Sequence, residues 1–413
     1  MRILFHIDDF GRGGTETALI SWLDTLDRRL FSPSLAVTYP TDDLTYWRGH
    51  SIPEDVPIHI LAPSWWMCKL HQVERRRKLA PLAKIVHKLS TYCAIRPLVE
   101  RRFLRLASRY DVVCDFDLSM RRIAGRVSVP CIGVSHYSFS ARWGKKPAAY
   151  VARRVKQLAR YAAIAVLTPD MLREARHVFG DTSIRIEELP NVIDIRAIRQ
   201  KAESNVPLPP SPFLVSVARL DEGQKDHATL LRAYAKVRAR RSAMADLVLI
   251  GDGPDRERLE RLVDDLGIRA FVRFLGFCSN PFPYIRAASA LVLSSRYEGF
   301  GMVLGEAMAL GTAVISTDCP TGPRDLLDGG KAGLLVAPGD VDGMADAIDR
   351  LASDSALSKT LRSNASEKVQ GFAPDSANRR MLALLRQVGA PSVGGAPALS
   401  PATADEASFD RVV

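Results

Sequence analysis

The stretch Ala290-Leu-Val-Leu-Ser-Ser295-Arg-Tyr-Glu298-Gly-Phe-Gly301-Met-Val-Leu-Gly-Glu306-Ala-Met-Ala-Leu310-Gly-Thr312-Ala-Val-Ile-Ser-Thr317 sets two glutamates around three glycines, with an apolar run at each end. Ala290 to Leu293 reads as a strand, Glu298 to Gly301 as a loop, Val303 to Leu310 as a helix and Thr312 to Ser316 as a second strand. Strand, glycine loop, helix and strand make one βαβ unit of a parallel sheet. Glu298 falls in the loop and Glu306 on the first turns of the helix. Bare amides at a helix N-terminus attract phosphate, and carboxylates beside them suit the hydroxyls of a ribose or hexose. The segment therefore suits a sugar joined to phosphates.

The same alternation extends in both directions. Phe213 to Val217, Ala245 to Ile250 and Val272 to Leu275 are further strands of this second half, with helices expected over Asp226 to Arg241 and Pro254 to Leu266. In the first half, Arg2 to Ile7 is followed by Gly11, Gly13 and Gly14 and then by a helix-like Thr15 to Leu23. Ser34 to Thr38, Ile58 to Leu61, Asp111 to Asp115, Cys131 to Ser135 and Ala163 to Leu167 complete a first set of short apolar strands. Helix-length sequence separates most of them, as parallel crossovers require. A long basic helical region is expected from about Val73 to Ser108, with breaks at Pro81 and Pro97. Pro207, Pro209, Pro210 and Pro212 mark a linker.

These features predict an α/β chain of two doubly wound, Rossmann-like domains facing across a cleft. The first spans 1–195, a linker 196–212 and the second domain 213–375. A C-terminal helix over 376–388 could return to the first domain, and a Gly-, Ala- and Pro-rich tail over 389–413 should be disordered.

With 413 residues, the chain is too long for one ordinary core. Its six cysteines have no metal-ligand or disulfide-framework spacing, which fits a reducing cytosol. No apolar run reaches the length of a membrane span, so the expectation is a cytoplasmic protein, soluble or peripheral on the inner membrane face. The net charge of +11 is concentrated: Trp65 to Arg160 hold 22 Lys and Arg against 5 Asp and Glu. Clusters such as Arg75-Arg-Arg-Lys78, Arg101-Arg-Phe-Leu-Arg105 and Arg153-Arg-Val-Lys156 suggest anionic lipid head groups, with a solvated helix face as the competing reading. Nucleic acid is not expected, because no recognition motif accompanies the charge.

Val217-Ala-Arg-Leu220 with Lys225-Asp-His227, Ile250-Gly-Asp-Gly-Pro254, Glu298-Gly-Phe-Gly301 with Glu306-Ala-Met-Ala309, and Leu189-Pro-Asn-Val-Ile-Asp194 resemble the group 1 retaining glycosyltransferases. The resemblance is strong over about 160–340 and implies the GT-B fold. Thr317-Asp-Cys-Pro-Thr-Gly-Pro-Arg324 resembles members that build capsule, exopolysaccharide or lipopolysaccharide. By position, the resemblance gives Arg219 and Lys225 the donor diphosphate, Glu298 the donor hexose and Glu306 the donor ribose. It also sets His136, in Gly133-Val-Ser-His136, beside the transferred sugar. Gly299, Phe300, Gly301, Gly251 and Gly253 would line the nucleotide, with Gly13 and Gly14 on the acceptor side. The family more often has five steps from arginine to lysine; Gly223 makes six here, and a loop glycine can absorb the extra residue.

The implied reaction is metal-independent transfer of a hexose from a nucleotide diphosphate sugar, UDP-linked foremost, to a saccharide acceptor on a lipid. No cofactor is implied. Asp115-Phe-Asp117 and Asp340-Val-Asp342 mimic metal-binding pairs that arise by chance at strand ends. The alternatives are a catalytically silent binding module of the same fold and a nucleotide-sugar epimerase.

Overall fold

The computed structural model describes residues 1–391 except 12, 63, 65, 70, 72–88, 181, 210, 211, 242 and 243. The cluster Arg75 to Lys78, Pro81, Pro210 and the tail from 392 onward lie outside the described residues.

Two parallel sheets stand in series. The first contains β1 (Arg2–Asp9), β2 (Ser32–Tyr39), β3 (Ile58–Ile60), β4 (Val112–Asp115), β5 (Cys131–Ser135), β6 (Ala163–Val166) and β7 (Ile186–Glu188), in the order β3-β2-β1-β4-β5-β6-β7. The second contains β8 (Phe213–Val217), β9 (Asp246–Ile250), β10 (Val272–Gly276), β11 (Ala290–Leu293), β12 (Ala313–Thr317) and β13 (Leu334–Val336), in the order β10-β9-β8-β11-β12-β13. Both orders reverse beside their first strand, between β1 and β4 and between β8 and β11. In an open parallel sheet, such a switch point leaves a crevice beyond the strands' C-terminal ends.

The apolar runs form strands because parallel sheets covered by helices bury both faces. Every residue of β6, β11 and β12 is buried. In register, Leu291 of β11 lies between Val215 of β8 and Val314 of β12, each at most 1% exposed. The strands β7 and β13 were not anticipated. Each is three residues long, too short to show a period.

Two local expectations are corrected. Pro97 does not break the basic helical region: a π-helical turn, Thr91–Ile95, runs directly into the helix Arg96–Ala107, with Pro97 in its first turn. The wider turn, in which Arg96 N donates to Thr91 O, shifts the register where proline removes an N–H. The linker expected over 196–212 begins as a helix, Ile195–Lys201, whose Asp194 caps the Ala197 amide. Arg199 ties this helix to the second sheet's covering by donating from Nε to Ala309 O at 2.9 Å.

The helix Pro374–Gln387 closes back on the first half. Asn378 Oδ1 accepts from Asp27 N at 3.0 Å, and its Nδ2 donates to Thr25 O at 2.9 Å. The two halves also meet where Ile193 N donates to Phe372 O at 2.9 Å. Replacing Asn378 leaves the Asp27 amide and the Thr25 carbonyl without their partner. Asn378→Ala should therefore lower unfolding stability by about 1–2 kcal/mol in urea titration; a wild-type midpoint would show that the helix is held by its apolar face alone.

Candidate active site

The C-terminal edge of the second sheet gathers three loops. β8 leads into Ala218 to Asp226, β11 into Ser294 to Gly301, and β12 into Asp318 to Gly322. Lys225 Nζ lies 2.6 Å from Glu298 Oε1, and Ser295 Oγ donates to the same oxygen at 2.5 Å. Both charged side chains are largely withdrawn from water, at 17% and 7% exposure. Burial on this scale requires pairing, because an isolated buried charge loses its hydration without return. The extra residue Gly223 thus does not keep the lysine from the loop. Asp221 accepts from the Gly223 and Lys225 amides, through Oδ1 and its main-chain oxygen respectively, and so shapes the turn.

The Glu298 backbone is fixed as firmly as its side chain. Its N–H donates to Pro320 O at 3.0 Å, and its carbonyl accepts from Thr321 N at 3.1 Å and Thr321 Oγ1 at 3.2 Å. Thr317 Oγ1 donates to Ser295 O at 2.5 Å. The side chains of Ser295, Thr317 and Thr321 were given no role of their own from the sequence, although the Ser-Ser pair ending an apolar run was a readable sign of a polar strand exit.

Among the described residues, the amides of Gly299, Phe300 and Gly301 donate to no protein acceptor. They open the helix Met302–Leu310, with Gly301 in the left-handed region at φ 85°. Phe300 itself is buried, its ring centroid 5.4 Å from that of Phe372, so it anchors the loop and offers only its backbone outward. Gly299 packs on the other half of the molecule: a Cβ there would stand 2.0 Å from His136 O. That contact sets the residue after β5 against the loop after β11.

The His136 ring bonds the Phe116 backbone, while its Nε2 is buried with no partner. Burial pushes its pKa down to about 3, so the imidazole is neutral at physiological pH. Glu306 lies on the second turn of the helix, buried, with no hydrogen-bonding partner among the described residues. Burial pushes its carboxyl up to about 7, against an opposing pull from the Lys201 charge.

Arg219 is less committed to the cleft. Its guanidinium is 59% exposed and paired with Asp221 Oδ2 at 2.6 Å. Gly251 and Gly253, expected to line the nucleotide, pack tightly on the chain itself. A Cβ on Gly251 would stand 2.0 Å from Ala218 O, and one on Gly253 2.3 Å from Leu220 O. The close approach is made by the chain's own β8 loop, with Ala218 N donating to Ile250 O and Leu220 N to Asp252 O, each at 3.0 Å. These glycines hold the Arg219 loop in place.

At the first sheet's switch point, Gly13 caps the helix Gly14–Thr25. Glu16 curls back to accept from Gly11 N at 3.0 Å, and its carboxylate would touch a Cβ on Gly13 at 2.9 Å. The turn therefore carries its own anion. Nearby, His6 links Asp115 Oδ1 at 3.0 Å to Thr38 Oγ1 at 2.9 Å, and Asp115 Oδ2 accepts from Met120 N and from Tyr161 Oη. Both His6 nitrogens and both Asp115 oxygens thus have protein partners. Asp117 beside them accepts from Asp8 N at 2.9 Å, and burial with the Asp115 charge pushes it up to about 7. Asp340 caps the helix Val341–Ser353. Each aspartate of the two pairs noted in the sequence thus has a protein partner, Asp342 through Lys236 Nζ at 2.5 Å.

Residues 198–368 match the family described as Glycosyl transferases group 1. Over 194 residues the chain is 34% identical to N-acetylgalactosamine-N,N'-diacetylbacillosaminyl-diphospho-undecaprenol 4-alpha-N-acetylgalactosaminyltransferase of Campylobacter jejuni, covering 47% of this chain and 52% of that one. Over 207 residues it is 32% identical to the lipopolysaccharide core biosynthesis glycosyltransferase LpsD of Rhizobium meliloti, covering 50% and 58%. The chain spans about half the length of the curated relatives it matches. Anabaena Alr3699/HepE, solved in complex with UDP, superposes with a TM-score of 0.70 over 94% of this chain and 100% of that one, at 19% identity. The architecture is GT-B, and the family match falls on residues 198–368, which include the whole Lys225–Glu298 site.

The raised Glu306 carboxyl gives a signed prediction. A buried acid with a folded pKa near 7 binds a proton that the unfolded chain, near 4.5, has released. Its contribution is therefore fully present below the unfolded value, falls as pH rises through the folded one, and is gone above it. Glu306→Gln should gain stability over wild type between pH 5 and 7, by a difference that levels off at roughly 2–3 kcal/mol above pH 7.5. Urea unfolding across pH checks this, and a difference that does not change with pH would contradict it.

Proposed function

We propose that the chain is a retaining glycosyltransferase that moves a hexose from a nucleotide diphosphate sugar, UDP-linked, to a lipid-carried saccharide acceptor in cell-surface polysaccharide biosynthesis. The observation that carries this reading is the Lys225–Glu298–Ser295 constellation beside three open amides, pressed against His136 of the other half. The Campylobacter relative, named for a saccharide on diphospho-undecaprenol, supports the lipid carrier. The UDP in the Anabaena structure supports the nucleotide.

The chemistry follows from where charge develops. Breaking the bond between the anomeric carbon and the diphosphate oxygen leaves negative charge on the diphosphate. Lys225, the amides of Gly299 to Gly301, and Arg219 once released from Asp221 oppose that charge, with no metal in the scheme. Fixed donors of this kind stabilise a transition state without reorganising at the moment of reaction. The acceptor hydroxyl attacks the same face of the sugar, and its proton passes to the leaving phosphate oxygen. Glu298 is a positioning group for hexose hydroxyls: Oε1 is committed to Lys225 and Ser295, which leaves Oε2 to accept from the sugar. Glu306 accepts from the ribose. The neutral His136 has Nε2 available for a sugar hydroxyl and is unsuited to protonate a leaving group.

The acceptor lies against the first sheet, where the basic residues gather. Exposed Tyr92, three residues after exposed Leu89, stands beside Arg96 and Arg122, whose guanidinium carbons lie 5.5 and 5.8 Å from its ring. Apolar and cationic groups side by side suit an anionic membrane surface, each cation there adding about 1 kcal/mol. No helix among the described residues is long and apolar enough to cross a membrane. A peripheral position on the cytoplasmic face matches both observations.

Three measurements test this reading. Glu298→Ala and Arg219→Ala should each lower transfer from UDP-hexose by roughly 10²–10³-fold. The exposed Arg219 is lost with normal unfolding, whereas Glu298→Ala also loses stability because Lys225 is left buried without its partner. Anomeric proton couplings in the product should report retention. Full activity in either variant, or inversion at the anomeric carbon, would remove the assignment. Flotation with phosphatidylglycerol-containing vesicles should carry the protein upward at low salt and progressively less as salt rises; no flotation at physiological salt would remove the membrane role.

A further inference from the structure

Tyr137 follows His136 directly, at the C-terminal exit of β5, and the residues around it are unusual in charge. From Tyr137 to Lys156 the chain contains Arg142, Lys145, Lys146, Arg153, Arg154 and Lys156 and no Asp or Glu. Arg142 stacks on the Tyr137 ring with its guanidinium carbon 4.0 Å from the centroid. Arg154 lies 5.0 Å from the Tyr150 centroid, in the helix Ala148–Leu158 that begins at the same sheet edge. Arg121, from the loop after β4, joins them: Nη1 donates to Leu118 O at 2.7 Å, while Nε is buried without a partner.

None of Arg121, Arg142, Lys146 and Arg154 forms an ion pair with a carboxylate among the described residues. Arg154 turns to the Gln157 amide instead. Burial, and next the charge of Arg154, pull the Arg121 pKa down, so the two cations stand close enough to oppose each other. Tyr150 is pulled down by its bond to Arg154 and by the charges of Lys146 and Arg121. The acids behind them are occupied, Asp115 by His6, Met120 and Tyr161, and Asp117 by the Asp8 and Ser119 amides. Like charges gathered around two tyrosines, beside the residue that touches the Gly299 loop, raise the free energy of the empty protein. An anion in their midst would reverse that sign.

We infer that Arg121, Arg142, Lys146 and Arg154, with the Tyr137 and Tyr150 hydroxyls, form a phosphate or diphosphate subsite on the acceptor side of the cleft. This rests on the proposed transfer reaction and narrows its acceptor to one bearing a phosphate ester near the accepting sugar. Arginine forks match phosphate oxygens, and the tyrosines supply neutral donors. The group is distinct from the donor's diphosphate cations, Lys225 and Arg219, which belong to the other sheet.

The test separates the subsite from the donor site and from net charge. With the full chain saturated by UDP, inorganic pyrophosphate is titrated calorimetrically. Wild type should bind it, and the double variant Arg142→Ala, Arg154→Ala should bind at least about tenfold more weakly with UDP affinity unchanged. The double variant Lys359→Ala, Arg379→Ala, which removes two charges elsewhere, should bind as wild type. Thermal unfolding confirms that each variant folds. Unchanged pyrophosphate binding in the Arg142, Arg154 variant, or pyrophosphate binding abolished by UDP, would overturn the subsite. Loss of UDP binding in wild type would instead count against the donor reading. Flotation then identifies the source: preference for phosphatidylcholine vesicles carrying a polyprenyl diphosphate over plain ones supports a lipid carrier. Pyrophosphate binding without that preference supports the subsite with a soluble phosphorylated acceptor. Equal binding of phosphatidylglycerol vesicles by wild type and the Arg142, Arg154 variant, with equal pyrophosphate affinity, would reduce the cluster to diffuse charge and overturn it.

Discussion

One ion pair organises the second half of the molecule. Lys225 comes from the loop after β8 and Glu298 from the loop after β11, the two strands that border the sheet's switch point. Neither charge is stable alone at its depth, so each loop takes the shape that brings it to the other. Ser295 adds a third partner, and Thr321 with Pro320 ties the Glu298 backbone to the loop after β12. Three loops are thereby held in one arrangement before any substrate arrives. That preorganisation is what the proposed transfer, in which a diphosphate departs, would need, since donors already in place do not have to be reoriented.

The second constraint is steric. Gly299 lies so close to the His136 carbonyl that any side chain would displace one half of the molecule from the other. The glycine therefore does two things: it leaves an amide open toward the cleft, and it lets the first sheet's β5 exit reach that cleft. Asn378 reinforces the same closure from the C-terminal helix. The neutral His136 ring, the open amides and the Lys225–Glu298 pair are consequences of one packing arrangement.

Much of this was readable in the chain. Buried parallel strands appear as uninterrupted apolar runs, so β1, β8, β11 and β12 could be placed from Val, Ile and Leu alone. Glu298 and Glu306 stood out because glycines bracketed them. β7 and β13 escaped because three half-buried residues carry no period. Gly251 and Gly253 were visible as a turn, but their partner, the Ala218 to Leu220 backbone, is a tertiary neighbour that no local pattern announces. The network of His6, Asp115 and Tyr161 joins residues 109 and 46 positions apart, and Asp115 in sequence resembled half of a chance aspartate pair. Arg219 showed the converse limit: its position at a strand exit was legible, its pairing with Asp221 was not.

The central claim is that Lys225 and Glu298 act as one unit on the donor. A double-mutant cycle of Lys225→Met and Glu298→Gln on kcat/KM for transfer from UDP-hexose tests it most directly. The account predicts strong coupling, the double variant losing little more than the worse single one, with an interaction energy of about 2 kcal/mol or more. Losses that simply add would contradict it, and would mean that the two residues serve the reaction independently.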